Sequence, residues 1–385
     1  MIWNSVLQNM NADRNRRKES RKNVTSGAGR KSFFAVLLAG CMAFMTAGCA
    51  ETGNSMTAPG NSGDQAGNSA DQAGNADGGK ISVVTTIFPP YDFVREIAGD
   101  QADVKMLLKP GEETHSYEPT PQDIIAIQDS DVFIYTGGEN DVWVEDILSS
   151  MPDSDMVTLR LVDCVDTVEE EQVEGMKGSA GHDHDEEDYG NVHGGHTDEA
   201  DGEDEEKSQH EVDEHVWTSP VNASLIVEQI KNVLSQADPD HSEMYAENTL
   251  AYQKQLSELD GQFREVVDHA KRNIMIFGDR FPFRYFADEY GLEYYAAFPG
   301  CAGDTEPSAA TMAFLIEKVR EEKVPAVLKM ELSNDDIANA VAEATGTEVK
   351  VLYSCHNLSA DDLENGETYL SMMQKNVETL KEVLN

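Results

Sequence analysis

The order of apolar and polar positions divides the chain into unlike parts. Residues 33–45 are one apolar run; residues 51–79 and 181–210 show no apolar period; the remainder from Lys80 onward alternates short β-rich runs with amphipathic ones. In the first half, strands are predicted at 81–87, 104–108, 131–136 and 156–162, with a helix at 142–150 between the last two. Pro89-Pro90 opens the first helix, in which Phe93, Val94 and Ile97 share a face and Gly99 supplies the stop. Thr120-Pro121-Gln122-Asp123 offers the next helix a cap, a first-position proline and an acid in its first turn. The second half repeats the order: strands at 273–277, 292–298, 326–331 and 348–354, helices at 283–290, 308–322, 335–346 and 366–384.

Between the halves lie a helix at 221–236 and a long pattern from 241 to about 271, carrying Tyr245, Leu250, Leu256, Leu259, Phe263 and Val266 and interrupted only by Gly261. At 1.5 Å per residue that is a rod of about 45 Å, read here as a strut. The expected fold class is therefore α/β, with two parallel-sheet βα lobes joined by a long linking helix. Lobes of this kind bind ligands in the cleft at the carboxyl ends of their strands. The expected divisions are an export signal at 1–48, a disordered tether at 49–79 and a first lobe at 80–237 that includes a disordered loop at 166–212. The linking helix at 238–271 and a second lobe at 272–385 complete the chain.

Strand ends then nominate chemistry. His115 follows the second predicted strand and His215 the fourth; in the second lobe Asp279 and Arg280, then Glu306, Glu331 and His356, follow successive strands. All can converge on one cleft. Gly111 and Pro119 shape the loop around His115, while Trp217 and Pro220 pin His215 to packed structure. His241 and His269, on the long helix, read as solvated surface.

Net charge is −43, which argues against nucleic acid or anionic lipid as partner and for a cation. Acidic residues concentrate around His182, His184, His193, His196 and His210, a composition that cannot build a core. Such a run is either a metal-gathering loop beside a fixed site or an acidic solubilising insert with incidental histidines. The opposite charge gathers at the start, where Arg14, Arg16, Arg17, Lys18, Arg21, Lys22, Arg30 and Lys31 precede the apolar run and Ala47-Gly48-Cys49. This is an export signal, and its ending resembles that of bacterial lipoproteins, in which the cysteine becomes the lipidated first residue. Leu38-Ala39-Gly40-Cys41 has suitable letters but leaves too short an apolar core, so Cys49 is favoured for lipidation. The long basic segment also suggests a start downstream of Met1. Residues 51–79, rich in Gly, Asn, Ser and Gln, would form a tether reaching on the order of 30 Å.

Four segments together resemble one family. They are Thr114-His115-Ser116-Tyr117-Glu118-Pro119, Asp213-Glu214-His215-Val216-Trp217-Thr218-Ser219-Pro220, Tyr285-Phe286-Ala287-Asp288-Glu289-Tyr290-Gly291-Leu292 and Glu306-Pro307-Ser308. The likeness, over about residues 80–385, is to the zinc- and manganese-binding lipoproteins of ABC importers, solute-binding protein family 9, including the acidic His-rich insertion of the zinc-specific members. It implies capture of Zn²⁺ (Mn²⁺ as the alternative) outside the cell, on the outer face of the cytoplasmic membrane, by a lipid-anchored monomer. Delivery to an ABC permease would follow, with no reaction catalysed. It also implies that His115 and His215 are ligands. Where the family has a further histidine, this chain has Arg280, which cannot ligate and needs an anionic partner such as Asp279 or Glu306. His356 lies where the family contributes a carboxylate and is expected to substitute, with water, Glu306 or Glu331 completing a roughly tetrahedral shell. Nitrogen-rich ligation favours zinc; two histidines with two carboxylates would tilt toward manganese.

Cys301 and Cys355 both fall in second-lobe loops, so a disulfide bracing His356 is expected, with Cys355 thiolate ligation as the alternative. A secreted zinc hydrolase is the competing enzyme reading. It lacks a His-Glu-x-x-His helix, a Gly-x-Ser-x-Gly turn and a Gly-rich phosphate loop. A cell-adhesion protein or passive metal buffer would instead make the acidic loop its main working part.

Overall fold

The computed structural model describes residues 79–113, 117–138, 141–151, 154–176, 212–302 and 306–385. The export signal, nearly all of the tether, Cys49, His115 and the five loop histidines lie outside the described residues.

In the first lobe β1 (Ile81–Thr85), α1 (Phe88–Ala98), β2 (Ala102–Met106), α2 (Pro121–Gln128), β3 (Val132–Tyr135), α3 (Val142–Ser149) and β4 (Val157–Arg160) follow one another. The strands form one parallel sheet in the order β2-β1-β3-β4. The local signals act as expected. Gly99 ends α1 with φ +53°, and Thr120 and Asp123 exchange capping bonds at the start of α2. The second lobe contains β5 (Ile274–Phe281), α6 (Arg284–Tyr290), β6 (Glu293–Pro299), α7 (Ala309–Glu322), β7 (Ala326–Lys329), α8 (Asp336–Thr345) and β8 (Glu348–Val351). Its parallel sheet has the order β6-β5-β7-β8, the same winding. Each sheet reverses direction beside its first strand, which opens the crevice where ligands of this class sit.

Before the second lobe come α4 (Pro220–Ala237) and α5 (Ser242–Asp268), the latter 27 residues and about 40 Å long. The strut expectation needs revision: α5 is a wall of a core common to both lobes. Its Tyr245, Tyr252, Leu256, Leu259, Phe263 and Val266 are buried in the same cluster as Phe93 of α1 and Phe286 of α6. Phe93 meets Tyr252 at 5.9 Å and Tyr369 at 4.9 Å between ring centroids. Leu250, expected inside, is 45% exposed, because Thr249 and Tyr252 hold the buried stripe and position 250 is a third of a turn away.

Three further departures matter for the site. Asp279 and Arg280 lie not in a loop but in the irregular end of β5, whose register against β6 shifts between Phe277 and Arg280. The last predicted helix is α10 (Tyr369–Val383), capped by Thr368, and a short helix that was not predicted, α9 (Ala360–Glu364), capped by Ser359, precedes it. Residues 166–176, expected in the disordered loop, are packed. Glu169 pairs with Val212 in an antiparallel bridge, the Val168 amide donates to the Tyr285 hydroxyl at 3.3 Å, and Thr311 Oγ1 donates to the Gly175 carbonyl at 2.9 Å. Both ends of the histidine-rich insertion are thus held against the second lobe.

Candidate metal centre

Three consecutive ionisable residues, Asp213, Glu214 and His215, are 1%, 2% and 0% exposed. Groups of this kind are fully buried only when paired. The Val216 amide donates to the Glu214 carbonyl at 2.8 Å, so the chain turns sharply here before Ser219 caps α4 and Pro220 takes its first position. Trp217 anchors the turn: its indole Nε1 donates to the Ser354 carbonyl at 2.9 Å, and its own carbonyl accepts from the Tyr369 hydroxyl at 2.8 Å. Asp213 fixes the imidazole. Its Oδ1 accepts from the His215 amide at 2.9 Å and faces His215 Nδ1 at 3.0 Å, while the Tyr285 hydroxyl donates to its carbonyl at 2.6 Å. A proton held on Nδ1 leaves the Nε2 lone pair for a metal. Desolvation opposes charge on His215, but the Asp213 carboxylate, with Glu214 and Glu170, outweighs it and raises the pKa.

Two glycines make room. A Cβ on Gly138, after β3, would stand 2.0 Å from Glu214 Oε2, and one on Gly300, after β6, 3.1 Å from His215 Cε1. Any larger residue at Gly138 would displace the buried carboxylate.

From the second lobe comes His356, turned in by Cys355, which adopts a left-handed φ of +59°. Its ring lies 5.3 Å from that of His215 and 4.9 Å from that of Trp217. Glu331, after β7, lines the same pocket. Its carboxylate accepts from the Ser354 amide at 2.7 Å and hydroxyl at 2.9 Å, yet burial pushes its pKa up to about 7. The loop before His115 is tied to this side too: Asn357 Nδ2 donates to the Lys109 and Glu112 carbonyls at 2.8 and 2.9 Å, and the Gly111 amide to the Leu358 carbonyl at 2.9 Å.

The other nominated residues are placed as follows. Arg280 lines the pocket, but its partner is neither Asp279 nor Glu306: Nη2 donates to both Glu113 carboxylate oxygens at 3.1 and 3.0 Å, and Nη1 to the Ala302 carbonyl at 3.3 Å. Asp279 clips the loop after β7 instead, accepting from the Met330 amide at 2.8 Å and from the Ser333 hydroxyl. Glu306 is exposed. Cys164, Cys301 and Cys355 are all unbridged, so the Cys301–Cys355 disulfide is not formed. Cys355 is buried in the core, whereas Cys301 lies in the turn after β6 beside His215. Among the described residues, Glu214, His215 and Cys301 are the group whose ligand atoms all lie within 4.8 Å of one another. Burial, with Glu214, Glu170 and Asp213 nearby, pushes the Cys301 thiol up. Sequence reasoning missed Glu214 and gave Cys301 only a disulfide role, although Cys301 occupies a strand's carboxyl end like the residues nominated for the cleft.

Two parallel-sheet lobes around a shared core, with the ionisable side chains of Glu214, His215 and Cys301 gathered beside strand ends, define the class of two-lobed α/β proteins with a cleft at the carboxyl ends of the strands. Comparison with known proteins gives the same class: the chain belongs to the family described as ZnuA, zinc-uptake complex component A, periplasmic, which matches residues 83–383. That family provides a component of an uptake complex rather than an enzyme. Among curated relatives, the zinc-binding lipoprotein AdcA of Streptococcus pneumoniae strain R6 is 34% identical over 305 residues, covering 79% of this chain and 56% of that protein. The chain thus spans little more than half of such relatives. The high-affinity zinc uptake system protein ZnuA of Bacillus subtilis strain 168 is 33% identical over 310 residues, covering 80% of this chain and 88% of the relative. The solved Zn(II)-bound ZnuA-like domain of the pneumococcal AdcA superposes with a TM-score of 0.62 at 30% identity, covering 80% of this chain and 99% of the domain.

Proposed function

We propose that this chain is a high-affinity Zn²⁺ receptor that captures the ion outside the cytoplasm and hands it to the permease of an ABC importer. The observation that supports this most directly is the spacing of His215 and His356. A zinc-bound imidazole keeps its ring centre about 3.2 Å from the ion, so two at the tetrahedral angle sit roughly 5.2 Å apart. The rings of His215 and His356 are 5.3 Å apart and come from different lobes. Glu331 stands beside them as carboxylate ligand or support, and His115 is proposed as a further ligand from the first lobe. Imidazoles in this number favour zinc over manganese. Lipid attachment at Cys49 and a monomeric state complete the reading, with residues 181–210 gathering cations near the cleft.

Metal analysis of the purified chain tests it. One tightly held zinc per chain is expected, severely weakened in His115→Ala, His215→Ala and His356→Ala. Deletion of 181–210 should leave that tight site intact. Its loss would make the insertion the binding element and the protein a buffer; chelator-sensitive ester hydrolysis would revive an enzyme.

A further inference from the structure

We propose that Cys301 is a metal ligand: its thiolate binds the same ion as His215 and occupies the coordination position that Arg280 leaves without an imidazole. This rests on the receptor reading above and adds the chemical character of the site. The first support is distance. Donor atoms bound to one zinc at about 2.0–2.3 Å can be no more than roughly 4.6 Å apart. Cys301 Sγ, a His215 ring nitrogen and a Glu214 carboxylate oxygen already lie within 4.8 Å of one another, so a few tenths of an ångström closes them on an ion.

The second support is how the Cys301 turn is held. The Ala302 amide donates to the Pro299 carbonyl at 3.4 Å, closing a tight turn at the end of β6. Glu170 Oε1 accepts from the Cys301 amide at 2.8 Å, and Arg280 Nη1 grips the Ala302 carbonyl at 3.3 Å. The arginine therefore serves the site without ligating. Its charge is directed to Glu113, and its other amine pins the turn that presents the sulfur. Gly300 lets this turn approach the His215 ring, where a Cβ would come within 3.1 Å. Three separate elements thus preorganise one thiol beside one imidazole.

On binding, the sulfur gives its electron pair to the cation and its proton leaves to solvent; no oxidant or reductant is involved. A thiolate with imidazoles favours Zn²⁺ and softer ions such as Cd²⁺, and disfavours Mn²⁺.

Co²⁺ as a spectroscopic probe, added to the full chain, tests the assignment. The parent should bind one Co²⁺ and show a sulfur-to-cobalt charge-transfer band in the near ultraviolet. Cys301→Ser should still bind Co²⁺, lose that band, and lower the ratio of Cd²⁺ to Mn²⁺ affinity at least about tenfold. Cys355→Ser, with its thiol in the core, should keep the band. One bound Co²⁺ without the band in the parent, or a band that survives Cys301→Ser, overturns the proposal and leaves the receptor reading standing. A parent that binds neither Co²⁺ nor Zn²⁺ overturns both.

Discussion

Asp213 contacts His215 through both amide and ring, and is itself reached through the Tyr285 hydroxyl and the strap at Val168. Partners behind a metal-binding histidine set its tautomer and basicity, and losing one costs about 10–100-fold in affinity. Asp213→Asn should therefore weaken zinc by about that factor in a chelator competition while the fold persists; an unchanged Kd would show that the carboxylate does not tune the ring. At this scale strand ends were a usable guide to position: Glu331, two residues beyond β7, and His356, five beyond β8, both line the pocket. Sequence reasoning gave Arg280 the wrong partner, because the contact with Glu113 spans 167 positions and leaves no periodic trace. Cys301 was visible but misassigned: export permits disulfides, yet Cys355 is buried in the core and its Sγ lies 3.9 Å from the Tyr353 carbonyl.

Among elements, α5 shows what periodicity can and cannot tell. Its approximate extent was readable from a pattern that contains no proline and a single glycine, but Leu250 was assigned inward on hydrophobicity alone. Phe263, against Phe286 at 4.9 Å, is fully buried and Leu250 is not. Phe263→Ala should cost about 3–5 kcal/mol in urea unfolding, and Leu250→Ala no more than about 0.5. The clasp between α1 and α10 carries a pH dependence. Asp92 is buried on α1 and its Oδ2 accepts from the Tyr369 amide at the start of α10. Burial raises its pKa from 3.8 to about 7, with the Tyr369 amide opposing, Glu96 adding and Arg95 opposing. A carboxyl raised in the folded state holds a proton there that the unfolded chain has released. Its contribution is complete below about pH 4 and is lost as pH rises through about 7. Asp92→Asn keeps an acceptor for Tyr369 without titrating, so its stability should fall less between pH 4 and 8 than the parent's. Parallel curves would show that Asp92 does not titrate in that range. Burial of this kind depends on packing between helices far apart in the chain, which no local pattern encodes.

For the whole molecule, the question is whether two lobes mean two folding units. The repeated strand order suggested separable halves, yet Val83 and Phe93 of the first lobe share one buried cluster with Phe263 of α5, Phe277 of the second lobe and Leu380 of α10. Backbone and side-chain bonds cross at the site itself, from Trp217 to Ser354, Tyr369 to Trp217 and Asn357 to Lys109. Opening the cleft widely would break these and expose the cluster, so the lobes should unfold together. Calorimetry of the metal-free chain should give a single transition for the folded body. A ligand held by both lobes stabilises that unit by mass action, about 2.7 kcal/mol at a hundredfold excess over Kd. Zinc should therefore move the whole peak upward without splitting it. Two resolved peaks, or a zinc shift confined to one of them, would show that the ion is held by one lobe and that the shared core does not couple them.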